Sequence, residues 1–455
     1  MHNKQAKTIT IIGSGIAGSF LSLLLAKRGY KVIVYEKLSQ DEICDIAAKR
    51  SYNITILTYA IDMLKKAELW EDLHSYLLPL KGSYTQLSKR TKPIFTPVYD
   101  KESQYYAISR PRLLKVLMQK AEKHPLISFH YETALLSINR HDKQITVQHM
   151  KTKIIKTISC TVIIGADGVN SLVRTLMQQG QNAVHTQEYA KGGYKQFIIT
   201  KKELETLQLE NNVAYTWSGK RKFILAFPNF DGSLAALLVY PKNKITLSHL
   251  LTKKEIRHMI NEEFPFLIPI TNEIAEQLRL NPLGTFVTIH TDPWYYKNFI
   301  GIIGDAAHGF YPFFGQGASA AFGDSMYLVN LLDKYGPDWE KVFSLYEEGR
   351  KRHMDSLGEL SKIGLTRYTR NKRADYDSIY DKLELILHNF LPKYVQPPVF
   401  VSVMNDPGHT NDYVIKSQRQ RAIAKKLGIP FIVTSLTGLI AVYDFFHKKI
   451  HIKRF

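Results

Sequence analysis

Three short stretches of this chain carry the residue types that a bound dinucleotide requires. The first is Gly13-Ser14-Gly15-Ile16-Ala17-Gly18, which follows the apolar run Thr8 to Ile12. Its first glycine permits a tight turn, Gly15 lets backbone amides approach a pyrophosphate, and Gly18 lets a helix pack closely on the strand. The positive end of that helix then faces the phosphates. Glu36 ends the next strand, where its carboxylate can accept hydrogen bonds from adenosine ribose hydroxyls. The second stretch is Gly165-Ala166-Asp167-Gly168-Val169-Asn170-Ser171, followed by Val173-Arg174. The third is Gly304-Asp305-Ala306-Ala307-His308, continued by Pro312-Phe313-Phe314-Gly315-Gln316-Gly317. Asp167 and Asp305 each close an apolar run, at the carboxyl edge where open α/β sheets hold ligands. Alone, a glycine turn can lack a ligand and either aspartate can simply cap a helix. Three strand-loop-helix units in this order argue for one shared dinucleotide.

To converge, these residues need a common scaffold. The periodicity predicts strands ending at Ile12, Tyr35, Gly165 and Gly304, and a helix from Ser19 to Arg28 stopped by Gly29. Between about residues 185 and 290 short β-type runs alternate with turn signals. Lys222 to Phe227, the turn Asn229-Phe230-Asp231-Gly232 and Leu234 to Tyr240 read as a hairpin. From Asp338 the pattern is helical, with a proline-containing break from Leu391 to Pro398. The expected class is therefore α/β with α+β character. A discontinuous dinucleotide-binding domain is expected from residues 1–75, 105–184 and 291–335, and an inserted β-sheet substrate domain from 76–104 and 185–290. A helical C-terminal region covers 336–426, and an apolar and basic tail covers 427–455.

The 455 residues, 45% hydrophobic and 22% charged, describe a globular chain large enough for a substantial core. Cys44 and Cys160 are too few for a disulfide framework or a metal cluster, which points to a reducing compartment such as the cytoplasm. The net charge of +20 is scattered and no nucleic-acid-binding motif accompanies it, so nucleic acid is not an expected partner. The C-terminus is different. Lys416, Arg419, Arg421, Lys425, Lys426, Lys448, Lys449, Lys453 and Arg454 flank the seventeen uncharged residues from Leu427 to Tyr443. The tail reads either as a peripheral attachment to an anionic membrane surface or as a buried helix capping the substrate domain.

Together the three glycine-rich stretches resemble the FAD-dependent aromatic flavoprotein monooxygenases, and the resemblance narrows to the kynurenine 3-monooxygenase family. Arg50-Ser51-Tyr52-Asn53-Ile54, Ser103-Gln104-Tyr105, Ser109-Arg110 and Leu113 are similar to further segments of that family. The resemblance covers the chain to about residue 425. It implies FAD contacts at Gly13, Gly15, Ala17, Gly18, Glu36, Lys37, Arg50, Thr55, Arg110, Leu135, Asp167 and Asp305. It extends them through Gly315, Gln316, Gly317, Ala318 and Ser319, with Asp305 on the ribityl chain. Ser319 stands where the family has asparagine. The helix opening at Gly315 to Ala318 would sit beside the isoalloxazine, stabilising negative charge on the reduced ring. The implied reaction uses NADPH or NADH as a transient co-substrate and O2, through a C4a-hydroperoxyflavin, to hydroxylate a small aromatic molecule.

On the substrate side the resemblance implies contacts at Tyr99, Thr85, Pro312, Phe313, Phe314, Gly364 and Phe400. Thr85 takes the place of the family's carboxylate-pairing arginine, so a bidentate clamp is lost there. Lys81, Lys89 or Arg90 can replace it or can be solvated surface charges. Gly364 falls near the family's later-helix asparagine and Phe400 near its C-terminal tyrosine. Pro312, Phe313 and Phe314 are either an apolar wall at the flavin or core packing. His308 is read as a structural histidine. Two other readings remain open: a hydroxylase of a larger aromatic, antibiotic or pigment precursor, and a flavin-binding protein that has lost hydroxylation.

Overall fold

The computed structural model describes residues 8–50, 53–86, 92–97, 105–190, 192–220, 222–241, 252–369 and 376–426. Its first sheet has six strands in the order Tyr295–Tyr296, Ile300–Ile302, Val162–Gly165, Thr8–Ile12, Lys31–Tyr35, Ile127–His130. Every pairing in it is parallel except that of the edge strand Tyr295–Tyr296. From Thr8–Ile12 the chain first builds outward through Lys31–Tyr35, then returns to add Val162–Gly165 on the opposite side. Such a reversal leaves a crevice beyond the carboxyl ends of the strands, where ligands of open α/β sheets bind.

The helix Ile16–Lys27 has an unbroken run of buried residues from Gly18 to Ala26. A helix apolar around its circumference is covered on several sides, and this one packs against the helix Gly317–Tyr335 and the helix Arg110–Glu122. Its approach to the strand depends on missing side chains. A Cβ at Gly18 would collide with the Gly13 carbonyl, and one at Gly13 would come within 2.5 Å of the Ala166 carbonyl oxygen. Gly13 also has φ of 102°, a region that strains residues with a side chain.

A second six-stranded sheet runs Gly192–Ile199, Leu234–Pro241, Phe223–Pro228, Val213–Ser218, Gly82–Gln86, Ile94–Pro97. Gly82–Gln86 joins by parallel pairing with Val213–Ser218, so two distant stretches of sequence complete one sheet. The expected hairpin is present, with antiparallel Phe223–Pro228 and Leu234–Pro241 and Gly232 at φ of 84°. Because strand side chains alternate, Ile224 and Leu238 pack with Ile256, Ile260, Ile274 and Leu278 of the covering helices Lys253–Glu263 and Thr271–Leu280. Phe223, Leu237 and Val239 project to the other face, toward Phe286 and Tyr311.

The chain forms two compact units. One comprises Met1–Lys351 and Gly358–Arg370; the other comprises Arg352–Leu357 and Asn371–Phe455. The long helix Trp339–Thr369 contributes to both, so the helical region beginning near 336 is divided between them. In the second unit the helices Tyr376–Phe390 and Thr410–Lys426 are joined by Arg421, which meets Asp381 at 2.5 Å and buried Glu384 at 2.8 Å. Among the described residues no helix is long and apolar enough to cross a membrane. The tail on which membrane attachment was expected, 427–455, lies outside the described residues.

One acid pair within the first unit ties stability to pH. Glu347 of the long helix faces Asp292 at the end of the strand Val287–Asp292; burial, then the hydrogen bond and charge of Asp292, push the Glu347 carboxyl up to about 7. Between its ordinary value of 4.5 and 7 the folded chain holds this proton more tightly than the unfolded chain. Folding stability from this group therefore falls as pH rises through that window. Glu347→Gln, which mimics the protonated form, should unfold at a higher urea concentration than the wild type at pH 8 and at a similar one at pH 5. Parallel urea melts at the two pH values check this.

Candidate active site

The three glycine-rich stretches converge on one groove at the carboxyl edge of the parallel sheet. Gly15, Ile16 and Ala17 line it from the first turn, Ala166 and Gly168 from the second, and Asp305, Gly315, Gly317 and Ala318 from the third. Arg110, at the start of the helix Arg110–Glu122, adds a cation, and Asn53 and Ile54 close the groove from beneath. Two helix N-termini open onto it, those of Ile16–Lys27 and Gly317–Tyr335. Exposed backbone amides there suit phosphate at one end and an electron-rich ring at the other. Neither Gly15 nor Gly317 would bring an added Cβ within 4 Å of any atom, so both leave open space where a ligand can approach the backbone. These features fit FAD.

The acids behind this groove are held by the backbone near them. The Glu36 carboxylate accepts from the Ser14 amide at 2.9 Å, the Ser14 hydroxyl at 3.2 Å and the Leu38 amide at 3.0 Å. It thereby fastens the glycine turn, although Glu36 itself does not line the groove. Asp167 accepts from the Ser171 hydroxyl at 2.5 Å and the Val173 amide at 3.0 Å, while Ser171 is itself the N-cap of Leu172–Gln178. Burial pushes its pKa up, partly offset by the Ser171 hydroxyl and the backbone amides. Arg174, buried, donates to the Ala306 carbonyl at 2.8 Å and the Val169 carbonyl at 2.9 Å, joining the second turn to the third.

Asp324 was not singled out by sequence, yet it organises the third turn. Fully buried on the helix Gly317–Tyr335, its carboxylate accepts from the Gly304 amide at 3.1 Å and the Arg350 Nε at 2.9 Å. It also meets His308 Nε2 at 2.5 Å. An ionised carboxylate only accepts, which assigns the proton on that nitrogen to His308. Burial alone would raise the Asp324 pKa, but His308 and Arg350 outweigh it and hold the carboxyl down at about 2. Gly304 and His308 bracket Asp305, so this one carboxylate fixes both ends of the segment that presents Asp305 to the groove. His308 is itself buried, with its ring against Trp294.

At Asn53, Pro312 and Gly315 the groove meets a second, apolar cavity. Its walls are Phe223, Leu225 and Phe227 from one strand, Leu237 and Val239 from the next, and Phe286, Tyr311 and Phe313. Thr55, on the strand Ile54–Ile56, lines this cavity rather than the groove. The alternation of 223, 225 and 227 showed that they share a face; it could not show that helices cover the opposite one.

The other expected positions fall as follows. Gln316 and Ser319 are buried at the start of the helix Gly317–Tyr335, and the Ser319 hydroxyl finds no partner among the described residues. Leu135 is buried on the strand Thr133–Asn139 and Lys37 is exposed; neither lines the groove. Arg50 ends the helix Gln40–Arg50, and its side chain lies outside the described residues. Pro312 lines both spaces, Phe313 lines the apolar cavity, and Phe314 is buried against Phe313 without lining either. Thr85 pairs with Thr216 and Ile94 inside the second sheet and does not line the cavity. Lys81 faces Glu210 at 3.5 Å on the surface. Tyr99, Lys89 and Arg90 lie outside the described residues. Gly364 packs directly beneath the Phe313 ring, whereas Phe400 belongs to the second compact unit, on the helix Val399–Asn405.

A family model described as the FAD binding domain matches residues 6–264. With the groove and the cavity beside it, this places the chain in the FAD-dependent aromatic monooxygenases, to which it belongs. Within them its similarity is to kynurenine 3-monooxygenases. That of Legionella pneumophila (strain Lens) is 31% identical over 358 residues, covering 78% of this chain and 79% of its own. That of Salinispora tropica is 27% identical over 447 residues, covering 97% of each. The fold is shared with the solved 2-methyl-3-hydroxypyridine-5-carboxylic acid oxygenase, at a TM-score of 0.67 and 20% identity over 81% of this chain and 93% of that one.

Proposed function

We propose that this chain uses NADPH or NADH and O2 to hydroxylate a small planar aromatic molecule, with FAD held in the groove. The observation that carries the reading is the meeting of the groove and the apolar cavity at Asn53, Pro312 and Gly315. A ring seated in the cavity would lie against the end of the groove that the Gly317–Tyr335 helix faces. Gly15, Ala17 and the first helix N-terminus would hold the pyrophosphate, Glu36 the adenosine ribose, and Asp305 the ribityl chain. When bound, FAD would supply acceptance of hydride from the nicotinamide and activation of oxygen.

The chain's own groups have defined tasks. Amides at Gly317 and Ala318 would offset negative charge at the ring end of the cofactor. Pro312 and Phe313 would exclude water from the junction, so that oxygen chemistry proceeds in an apolar space. Pairing the described groove with a single nucleotide-binding turn suits a nicotinamide that visits and leaves.

Purified, flavin-loaded protein should oxidise NADPH or NADH faster in the presence of its aromatic substrate, and 18O from O2 should appear in the product. Flavin that is reduced but never transfers 18O to any aromatic across a broad panel would favour a binding protein without hydroxylation. Acceleration only by polycyclic substrates would favour the larger-aromatic reading.

A further inference from the structure

The described walls of the apolar cavity are uncharged. Among its described lining residues there is no Lys, Arg, His, Asp or Glu; the polar side chains are Asn53, Thr55 and Tyr311. Asn53 is already committed, its Nδ2 donating to the Pro228 carbonyl at 2.5 Å. A carboxylate or ammonium placed among Phe223, Leu225, Phe227, Leu237 and Val239 would lose its hydration and gain no counter-charge from these walls. Burying an ion without a partner costs far more than burying a ring gains.

One wall is set by a contact from a distant part of the chain. Phe313 sits in the one-turn segment Pro312–Phe314, and the helix Trp339–Thr369 passes beneath its ring at Gly364. A Cβ added at Gly364 would fall inside the van der Waals envelope of that ring, against Cδ1 and Cε1. Any larger residue at 364 must therefore displace Phe313. Glycine here is the condition for an aromatic wall at this end of the cavity.

We infer that the substrate presents a neutral, apolar aromatic body with no α-amino-acid group to this cavity, and that Phe313, seated on Gly364, is its specificity-determining residue. The inference rests on the monooxygenase reading for the use of the cavity, but its test reads binding rather than turnover. FAD-loaded enzyme would be titrated with L-kynurenine and with 2-aminoacetophenone, which keeps the ring and ketone and lacks the amino-acid group. Binding is read from the change in flavin absorbance.

The neutral probe should bind at least about tenfold more tightly, a difference of about 1.4 kcal/mol. Gly364→Ala should weaken it by about tenfold, and the double variant Gly364→Ala with Phe313→Leu should recover most of the loss by freeing the space. Flavin content measured in each variant separates this from misfolding. Tighter binding of L-kynurenine, no spectral response to either probe, or a Gly364→Ala protein with unchanged preference would each overturn the inference. Failure of the broader reading looks different: the neutral probe binds as expected, yet no aromatic in the panel acquires oxygen.

Discussion

Gly15→Val should yield a folded protein that purifies without colour. Gly15 has φ of −64° and ψ of −171°, a conformation open to any residue, and an added Cβ meets no atom within 4 Å. The substitution therefore leaves strand and helix packing alone. It fills the groove instead, where Gly15 is a lining residue and the proposed pyrophosphate would need close approach to the backbone. The expected loss of FAD affinity is at least about 100-fold, or about 2.7 kcal/mol, with the melting temperature of the cofactor-free protein changed by no more than about 2 °C, a shift of under 1 kcal/mol. Gly13→Ala provides the contrast. Its positive φ and collision with the Ala166 carbonyl strain the fold itself, so both stability and FAD binding should fall. Fluorescence titration with FAD and thermal melts of the stripped proteins distinguish the two. A Gly15→Val protein that remains yellow with unaltered affinity would remove the groove as the cofactor site.

Asp324→Asn should be the most damaging single change away from the groove. It removes the carboxylate that faces the Nε of buried Arg350 and turns one acceptor oxygen facing its three donors into an amide. Breaking a buried ion pair from one side costs about 3–5 kcal/mol, and the cofactor-free protein should lose that much in urea unfolding. FAD affinity should fall as well, because Gly304 and His308 no longer hold Asp305 from both ends. The pH dependence has a definite sign. A carboxyl held at about 2 when folded, against 3.8 ordinarily, contributes stability above pH 3.8 that is lost as pH falls through 2. The wild type should therefore show a steeper acid destabilisation than the variant between pH 4 and 2. An Asp324→Asn protein as stable as the wild type at pH 7 would refute this account.

The groove was legible in sequence because each of its turns follows an apolar strand and is marked by glycine and a strand-terminal acid. The hairpin around Gly232 was legible for the same reason, through alternation and turn chemistry. What escaped was the partner of each charge. Glu36 and Asp167 were recognised as acids at strand ends, but Ser14 and Val173, which engage them, are ordinary residues that order alone does not single out. Asp324 sits within a helix with nothing local to mark it; its meaning arises only when Arg350 and Gly304 arrive beside it. Gly364 is similar. Aligned with a family asparagine it reads as a missing anchor, while in the fold it is the floor under Phe313.

The parallel sheet has a consequence for how the protein is made. Its central strand Thr8–Ile12 leaves the ribosome well before Ile300–Ile302 and Asp305, which lie far along the same chain. At roughly 5–20 residues per second, the nascent chain must carry Thr8–Ile12 and its apolar helix for on the order of fifteen seconds to a minute before the cofactor's last wall exists. Flavin capture thus waits until Asp305 has emerged, and the interval before it is when chaperones have most to protect.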